Sequence, residues 1–262
     1  MTLSDVQLEQ FNKDGFIVLR GFVDESRCDA ILKIAQEHLV KEIEPIETET
    51  GYDSRSKAYR TDVTDYSSHA EEHQLIVRRL RQVYDRDVRF KEWMEDRSIR
   101  PILQQILNDQ VVLTTAHHNS IMTKMPHLSS ETGWHQDRRY WRYSDDNLVS
   151  VWLALDDETS QNGVLEFIPG SHKMHFRAEQ FDEKEYFSKT YADNKEIIAG
   201  KISTELKKGD VVIFHSLLLH RANKNSTDKA KISFVYTVKA LQTKAMEGTR
   251  SSQYPEIELE KI

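Results

Sequence analysis

A histidine and an aspartate lie two residues apart in Trp134-His135-Gln136-Asp137, at the start of a run of residues typical of a β-strand. Residues i and i+2 of a strand point to the same face, so the imidazole of His135 and the carboxylate of Asp137 would lie side by side. Nitrogen and oxygen ligands of this kind suit a divalent transition metal. The spacing therefore predicts that one short element supplies two metal ligands.

The same spacing also arises by chance in a chain with 11 histidines, so position along the chain has to discriminate between candidates. His69-Ala70-Glu71 is a competing triplet, but it lies where the sequence predicts the polar start of a helix. On a helix, residues i and i+2 do not face each other. We therefore expect His135 and Asp137 to bind the metal.

A third ligand is expected from the apolar run that follows the Gly209-Asp210 turn and ends at His220. Two histidines and one carboxylate on one face of iron leave three coordination positions open for other molecules. His215 lies in the same run at an odd separation from His220, so a regular strand would point the two rings to opposite faces. The expected catalytic and metal-binding residues are His135, Asp137 and His220, with His215 as the competitor of His220.

A later β-type run presents a cation and a hydroxyl on one face, because Lys231 and Ser233 are two residues apart. Such a pair suits the distal carboxylate of a molecule bound inside a barrel. The alternative is a lysine at the end of a strand that points into water, which is the commonest environment of lysine. Spacing alone does not decide between the two.

The elements that must position these residues differ between the two parts of the chain. In the first part, Ser4 and Gln7 form a capping box for a helix that ends near Lys13. A strand follows over 16–23, and Asp24 caps a helix that contains Cys28. Residues 44–68 form a predicted loop that is a candidate for substrate contacts, and helices return between 70 and 107.

The second part contains seven short β-type runs separated by turns. They cover 110–124, 134–141, 148–155, 164–168, 196–204, 210–220 and 231–239. Short strands without long helices between them favour an antiparallel sandwich or jelly roll over a parallel α/β sheet. We therefore expect a mainly β fold with flanking helices in one domain, 1–262, with a mainly helical buttress over 1–109 and a jelly-roll core over 110–240.

The composition excludes several classes of partner. Lysine and arginine number 36 against 43 acidic residues, which gives a formal net charge of −7, and the chain has no basic run for nucleic acid or anionic membrane. No apolar run approaches the roughly 20 residues that span a bilayer. The only cysteine, Cys28, has no partner for an internal disulfide, and no secretory signal is evident. We expect a cytoplasmic protein with a small-molecule partner and no obligate protein partner.

Four ordered blocks of the sequence resemble the phytanoyl-CoA dioxygenase family of iron(II)- and 2-oxoglutarate-dependent oxygenases. The similarity covers most of 110–240, with a weaker similarity at Asp14-Gly15-Phe16. The blocks are Trp134-His135-Gln136-Asp137; Val151-Trp152-Leu153-Ala154-Leu155-Asp156-Asp157; Gln161-Asn162-Gly163-Val164-Leu165-Glu166-Phe167-Ile168-Pro169-Gly170-Ser171-His172; and Gly209-Asp210 leading to His220, with Asn225-Ser226 beyond it.

The resemblance implies a double-stranded β-helix, a cupin-like jelly roll, that holds Fe(II) by the three ligands named above. It implies 2-oxoglutarate and O2 as co-substrates. The family usually has arginine where this chain has Lys231, with Lys229 as a less favoured stand-in; lysine lacks the planar fork of arginine and orients a carboxylate less tightly. The expected 2-oxoglutarate contacts are His118, Ser120, Trp152, Lys231 and Ser233.

The resemblance also implies hydroxylation, because Asp137 stands where the related halogenases have a small residue. The expected reaction oxidises an unidentified small molecule and releases succinate and CO2. Trp134, Trp141 and Trp152 would wall a dry pocket or else belong to an ordinary core. Two alternatives remain: a cupin-like metal enzyme that does not use 2-oxoglutarate, and a non-catalytic binding module with the same fold.

Overall fold

The computed structural model describes residues 1–49 and 76–262. The helices of this described part are α1 (Asp5–Asp14), α2 (Glu25–Val40), α3 (Val88–Met94), α4 (Arg100–Leu107) and α5 (Ala192–Ala199). The strands are β1 (Phe16–Leu19), β2 (Ile46–Thr48), β3 (Val77–Arg81), β4 (Val111–Lys124), β5 (Thr132–His135), β6 (Leu148–Ala154), β7 (Leu165–Phe167), β8 (Ile202–Ser203), β9 (Val211–His215), β10 (His220–Ala222), β11 (Lys231–Ala240) and β12 (Glu256–Glu258). Short 3-10 helices span Val83–Asp85, Asp137–Tyr140, Ser171–Lys173, Ala178–Gln180 and Arg250–Ser252.

The strands of the described residues form two antiparallel sheets. The larger sheet has the order β1-β9-β6-β11-β4-β3-β2, and β12 pairs with β4. The smaller sheet has the order β5-β10-β7-β8. Apolar side chains of the two sheets pack against each other, as in the stacked rings of Phe16 and Phe167, whose centroids are 4.7 Å apart. The predicted fold class, a mainly β jelly roll with flanking helices, is confirmed.

Three of the helices cover the outer face of the larger sheet. Side chains of α2, α3 and α4 join those of the sheet in one extensive core, in which Phe90 and Trp93 make edge contacts with Phe234 and Tyr236. The smaller sheet is covered on its outer side by the segment 176–198, which contributes Phe187 to a separate apolar cluster. Both sheets are therefore shielded, and the space between them is left for a site.

The helix starts follow the sequence signals. The backbone N–H of Gln7 donates to the Ser4 hydroxyl (3.3 Å), and the Gln7 side chain accepts from the Ser4 backbone N–H (3.0 Å). Asp24 caps α2 by accepting from the Arg27 N–H at 2.8 Å. Gly15 ends α1 in the left-handed conformation, with φ of 84°. The predicted capping box and the Asp24 cap are confirmed.

Several predicted elements differ in the structure. Residues 77–81, predicted as helical, form β3, and residues 46–48 of the predicted loop form β2. The segment 1–109, predicted as a mainly helical buttress, therefore contributes three strands, β1, β2 and β3, to the larger sheet. The run 196–204 contains the end of α5 and the two-residue β8. The run 210–220 is two strands in different sheets. Most of the loop 44–68, and the triplet at 69–71, lie outside the described residues.

In the described part, none of the helices combines the length and the hydropathy that crossing a bilayer requires. The longest, α2, has 16 residues and buries only one side of its surface, through Cys28, Ile31 and Ala35.

Gly209 gives a test of this packing. Its φ is +86°, and a Cβ at this position would lie 2.1 Å from the carbonyl oxygen of Val23. We expect Gly209→Ala to lower the free energy of unfolding by at least about 2 kcal/mol, through the left-handed backbone and the clash together. Gly248→Ala is the matched control: φ is +76° and no atom lies within 4 Å of the added Cβ, so it costs only about 1 kcal/mol. Urea unfolding measures both, and equal losses would contradict the clash.

Candidate active site

The three predicted ligands meet at one end of the smaller sheet. His135 ends β5, and His220 begins the neighbouring strand β10 as its direct cross-strand partner. Their ring centroids are 4.1 Å apart. Asp137 opens the 3-10 helix that follows β5, and its Oδ1 lies 3.7 Å from His135 Nε2 and 3.6 Å from His220 Nε2. One ligand atom from each of the three lies within 4.8 Å of the others.

Backbone carbonyls orient both imidazoles. His135 Nδ1 donates to the Gly133 carbonyl at 2.8 Å, and His220 Nδ1 donates to the Leu218 carbonyl at 2.9 Å. With the proton on Nδ1, the lone pair on each Nε2 faces Asp137. Metal-binding histidines use this second hydrogen bond to fix their tautomer and ring orientation.

The protonation states suit metal binding. Burial lowers the pKa of both His135 and His220, against the opposing effect of Asp137, so the neutral rings are favoured. Burial acts to raise the pKa of Asp137, but the neighbouring imidazoles of His118 and His220 and the hydrogen bond from His118 hold it below the ordinary range of aspartate. Two neutral imidazoles and one carboxylate are a donor set that fits Fe(II).

The carboxylate of Asp137 is fixed from the opposite sheet. The hydroxyl of Ser150 on β6 donates to Oδ2 at 2.8 Å, and His118 Nε2 on β4 donates to Oδ1 at 2.8 Å. His118, predicted as a contact of 2-oxoglutarate, thus bonds to a metal-ligand candidate. Ser150 was not among the predicted site residues. It lies two residues before Trp152 on a β-type run, and this spacing places both side chains on the same face of the strand.

His215 does not join the cluster. It ends β9 in the larger sheet, its Nδ1 accepts from the Leu217 N–H at 3.1 Å, and its ring centroid is 5.3 Å from that of His172. Burial and the neighbouring His172 lower its pKa to about 4. The choice of His220 agrees with this geometry, but the reason given was wrong, because the chain passes from one sheet to the other between the two histidines.

The same correction applies to Asp137. The strand predicted over 134–141 ends at His135, and Asp137 belongs to a 3-10 helix. The backbone N–H of Arg138 donates to the Ser216 carbonyl at 3.0 Å, which ties this turn to the chain between the sheets. The two residues come together through the turn and not through strand alternation.

A cavity between the sheets reaches the three ligands and is lined in part by the expected co-substrate contacts. His118, Trp152 and Lys231 line it, whereas Ser120 is buried opposite Val235 in the β4–β11 ladder. Lys229, the stand-in for Lys231, pairs with Asp156 on the surface and its side chain is 75% exposed.

Three of the expected co-substrate contacts donate hydrogen bonds to Glu158, a residue that was not predicted to belong to the site. The Glu158 carboxylate accepts from Trp152 Nε1 at 2.9 Å, from Ser233 Oγ at 2.6 Å and from Lys231 Nζ at 3.0 Å. These groups are the ones predicted to hold a carboxylate, and the structure brings them together around a carboxylate of the protein itself. Glu158 ends a run of three acidic residues in a turn, where no periodic pattern marks it as buried.

The three tryptophans predicted to form the pocket wall lie in two different places. Trp141 and Trp152 line the cavity, and Trp141 also stacks on His117 with ring centroids 5.0 Å apart. Trp134 is fully buried in the apolar cluster on the outer side of the smaller sheet. The cavity wall therefore takes two indoles, and the third belongs to ordinary core.

The chain is similar to known proteins in sequence and in fold. A phytanoyl-CoA dioxygenase (PhyH) family model matches residues 11–233. Phytanoyl-CoA dioxygenase domain-containing protein 1 of Bos taurus is 23% identical over 262 residues, covering 89% of each chain. The crystal structure of EctD from S. alaskensis with bound Fe is similar with a TM-score of 0.75 and 19% identity, covering 98% of this chain and 87% of that one.

A second solved structure extends the comparison. The epimerase SnoN, in complex with Fe3+, alpha ketoglutarate and nogalamycin RO, is similar with a TM-score of 0.71 and 17% identity, covering 93% of this chain and 86% of that one. SnoN thus binds iron and alpha ketoglutarate, EctD binds iron, and this chain has a buried cluster of His135, Asp137 and His220. The chain belongs to the phytanoyl-CoA dioxygenase family of iron- and 2-oxoglutarate-dependent oxygenases.

Proposed function

We propose that the protein hydroxylates a small molecule with Fe(II), 2-oxoglutarate and O2, and that His135, Asp137 and His220 hold the iron. The observation that carries this proposal is the buried cluster of two oriented imidazoles and one carboxylate at the end of a cavity. Family membership favours it over a cupin-like enzyme without 2-oxoglutarate and over a non-catalytic module.

Bound Fe(II) supplies the chemistry by which the 2-oxo acid is oxidatively decarboxylated and one oxygen atom enters a C–H bond of the substrate. In the balanced reaction, 2-oxoglutarate, O2 and substrate give succinate, CO2 and the hydroxylated product. One atom of O2 goes to succinate and the other to the product.

The protein's own side chains prepare this reaction by position. His118 and Ser150 hold Asp137 from the larger sheet, so the carboxylate keeps one orientation. Apolar side chains on the cavity wall, among them Leu165, Phe214 and Val235, exclude water from the space beside the ligands. A dry wall protects the oxidation from competing side reactions.

The expected co-substrate contacts enter the proposal as follows. We assign His118, Trp152 and Lys231 to the co-substrate end of the cavity because they line it together with the ligands. Ser233 belongs to the same group through its shared bond to Glu158, and Ser120 extends the face of β4 between His118 and Met122. Cys28 is buried and burial raises the pKa of its thiol to about 11, which favours a structural role for this thiol.

The proposed chemistry gives a direct spectroscopic test. Anaerobic addition of Fe(II) and millimolar 2-oxoglutarate to the protein is expected to produce the weak visible absorption band of the chelate. Admission of air is then expected to release CO2 from 2-oxoglutarate. A protein that binds Fe(II) but gives neither the band nor decarboxylation would be a cupin-like enzyme or a binding module instead.

The choice of the third ligand is tested by two histidine variants. We expect His220→Ala to abolish binding of Co(II), used as a spectroscopic substitute for Fe(II), because one of three protein ligands is lost. His215→Ala, which removes a buried histidine outside the cluster, should leave Co(II) binding within about threefold of the wild type, a change of less than 1 kcal/mol. Titration by visible absorption measures both, and the reverse result would make His215 the ligand.

The support of Asp137 from the opposite sheet is tested at Ser150. Ser150→Ala removes one hydrogen bond from the carboxylate, and we expect it to weaken Co(II) binding by about 10- to 100-fold. Ser216→Ala is the matched control, because that buried hydroxyl donates to the Asp146 carbonyl and not to a ligand. Equal affinities of the two variants would mean that Asp137 does not depend on Ser150.

A further inference from the structure

Glu158 is a buried acid with three donors and no contact with solvent. Its side chain is 0% exposed, and that of its ion-pair partner Lys231 is 3% exposed. Both carboxylate oxygens are used: Oε1 accepts from Trp152 Nε1 and Ser233 Oγ, and Oε2 accepts from Lys231 Nζ. The charge of the lysine is therefore matched by the chain itself.

Donors of this kind are what a second carboxylate of a bound oxo acid would need. A buried ammonium, an indole N–H and a hydroxyl together satisfy one carboxylate, and Glu158 already takes that position. A dicarboxylate that reached the same donors would bring a second carboxylate to an ammonium that Glu158 already pairs with, among buried side chains. Burying the extra charge is costly unless one carboxylate is protonated or moves away.

The backbone of Glu158 opposes such a movement. Its N–H donates to the Leu206 carbonyl at 2.8 Å, and its carbonyl accepts from the Leu206 N–H at 3.0 Å. This bridge closes the turn after β6 against the segment before β9. If the side chain left, it would also have to abandon three hydrogen bonds at once. Glu158 is thus a fixed part of the cavity wall.

We propose that Glu158 takes the place of the distal carboxylate of the co-substrate and shifts the selectivity of the site towards 2-oxo acids that lack one. This inference rests on the proposed function. A 2-oxo monocarboxylate keeps the oxo group and the carboxylate that chelate the metal, and its alkyl end meets the apolar wall of Trp152, Leu165 and Val235. Glu158 is therefore a specificity-determining residue for the co-substrate.

The test compares two acids that differ only at carbon 5. 2-Oxopentanoate has a methyl group where 2-oxoglutarate has the distal carboxylate. Anaerobic titration of the Fe(II)-loaded protein, followed by the visible band of the chelate, gives a Kd for each acid. In the wild type we expect 2-oxopentanoate to bind at least as tightly as 2-oxoglutarate.

Glu158→Ala opens the position and leaves Lys231 without its counter-charge. We expect its affinity for 2-oxoglutarate to rise by at least about tenfold, while that for 2-oxopentanoate changes by less than about threefold. 2-Oxoglutarate should also raise the Tm of this variant more than that of the wild type. Asp157→Ala, which removes the adjacent carboxylate from its surface pair with Lys207, is the matched control and keeps the wild-type ratio.

The outcomes separate the two proposals. A wild type that binds 2-oxoglutarate at least about tenfold more tightly than 2-oxopentanoate overturns the role of Glu158 and leaves the proposed function intact. A protein in which neither acid gives a band, in the wild type or in the variants, overturns both. If Glu158→Ala does not fold, the wild-type ratio and the isosteric Glu158→Gln decide, and a wild-type ratio that persists in Glu158→Gln counts against the inference.

Discussion

The active site depends on the antiparallel pairing of β10 with β5. This pairing sets His220 directly opposite His135, and directly opposed residues of such a ladder have Cβ atoms about 4.5–5.5 Å apart. That separation suits two imidazoles that share one ion. On its other side His220 pairs with Phe167 of β7. Because β10 lies between β5 and β7, His220 cannot shift without disturbing its pairing with both strands. The register of a three-residue strand thus places two of the three residues of the proposed metal site.

The third ligand connects the two sheets. Asp137 follows β5 of the smaller sheet, but the groups that hold its carboxylate, His118 and Ser150, come from β4 and β6 of the larger one. A buried carboxylate needs such partners, because an ionised group without them would be costly to bury. The hydrogen bond from His118 that lowers the pKa of Asp137 therefore also helps to set its orientation. The fold thus fixes the orientation of the side chains in the site, which limits reorganisation during the reaction.

The sequence allowed the fold class and the three residues of the His-Asp-His cluster to be predicted, because both depend on local residue types in order. Helix starts at Ser4 and Asp24 follow from capping chemistry, which acts within three residues. The failures arose where a continuous run hides a change of element. Residues 210–220 are mostly apolar, yet the chain leaves one sheet after His215 and enters the other at His220, and hydrophobicity cannot report which sheet a residue joins.

The burial of Glu158 could not be predicted from the neighbouring residues, for a different reason. Acidic residues in a turn are usually solvated, and nothing within several positions of Glu158 indicates that β11 brings Lys231 and Ser233 to it. These two contacts are long-range, because Lys231 and Ser233 lie on β11. That strand is distant from Glu158 in sequence but pairs with β6, the strand that precedes Glu158. Only the three-dimensional structure shows that Lys231, which was expected to bind a carboxylate of the co-substrate, forms an ion pair with Glu158.

The internal ion pair changes what the lysine contributes to binding. A buried ammonium without a counter-charge is unstable, so a site that relies on the ligand for that charge gains affinity when the ligand arrives. Here Glu158 stabilises Lys231 in the free protein, and a ligand carboxylate gains nothing unless it displaces that pair. The chelating end of the oxo acid and the apolar wall are then left to supply the affinity. Selection of the co-substrate follows from which carboxylate, the protein's or the ligand's, faces the lysine.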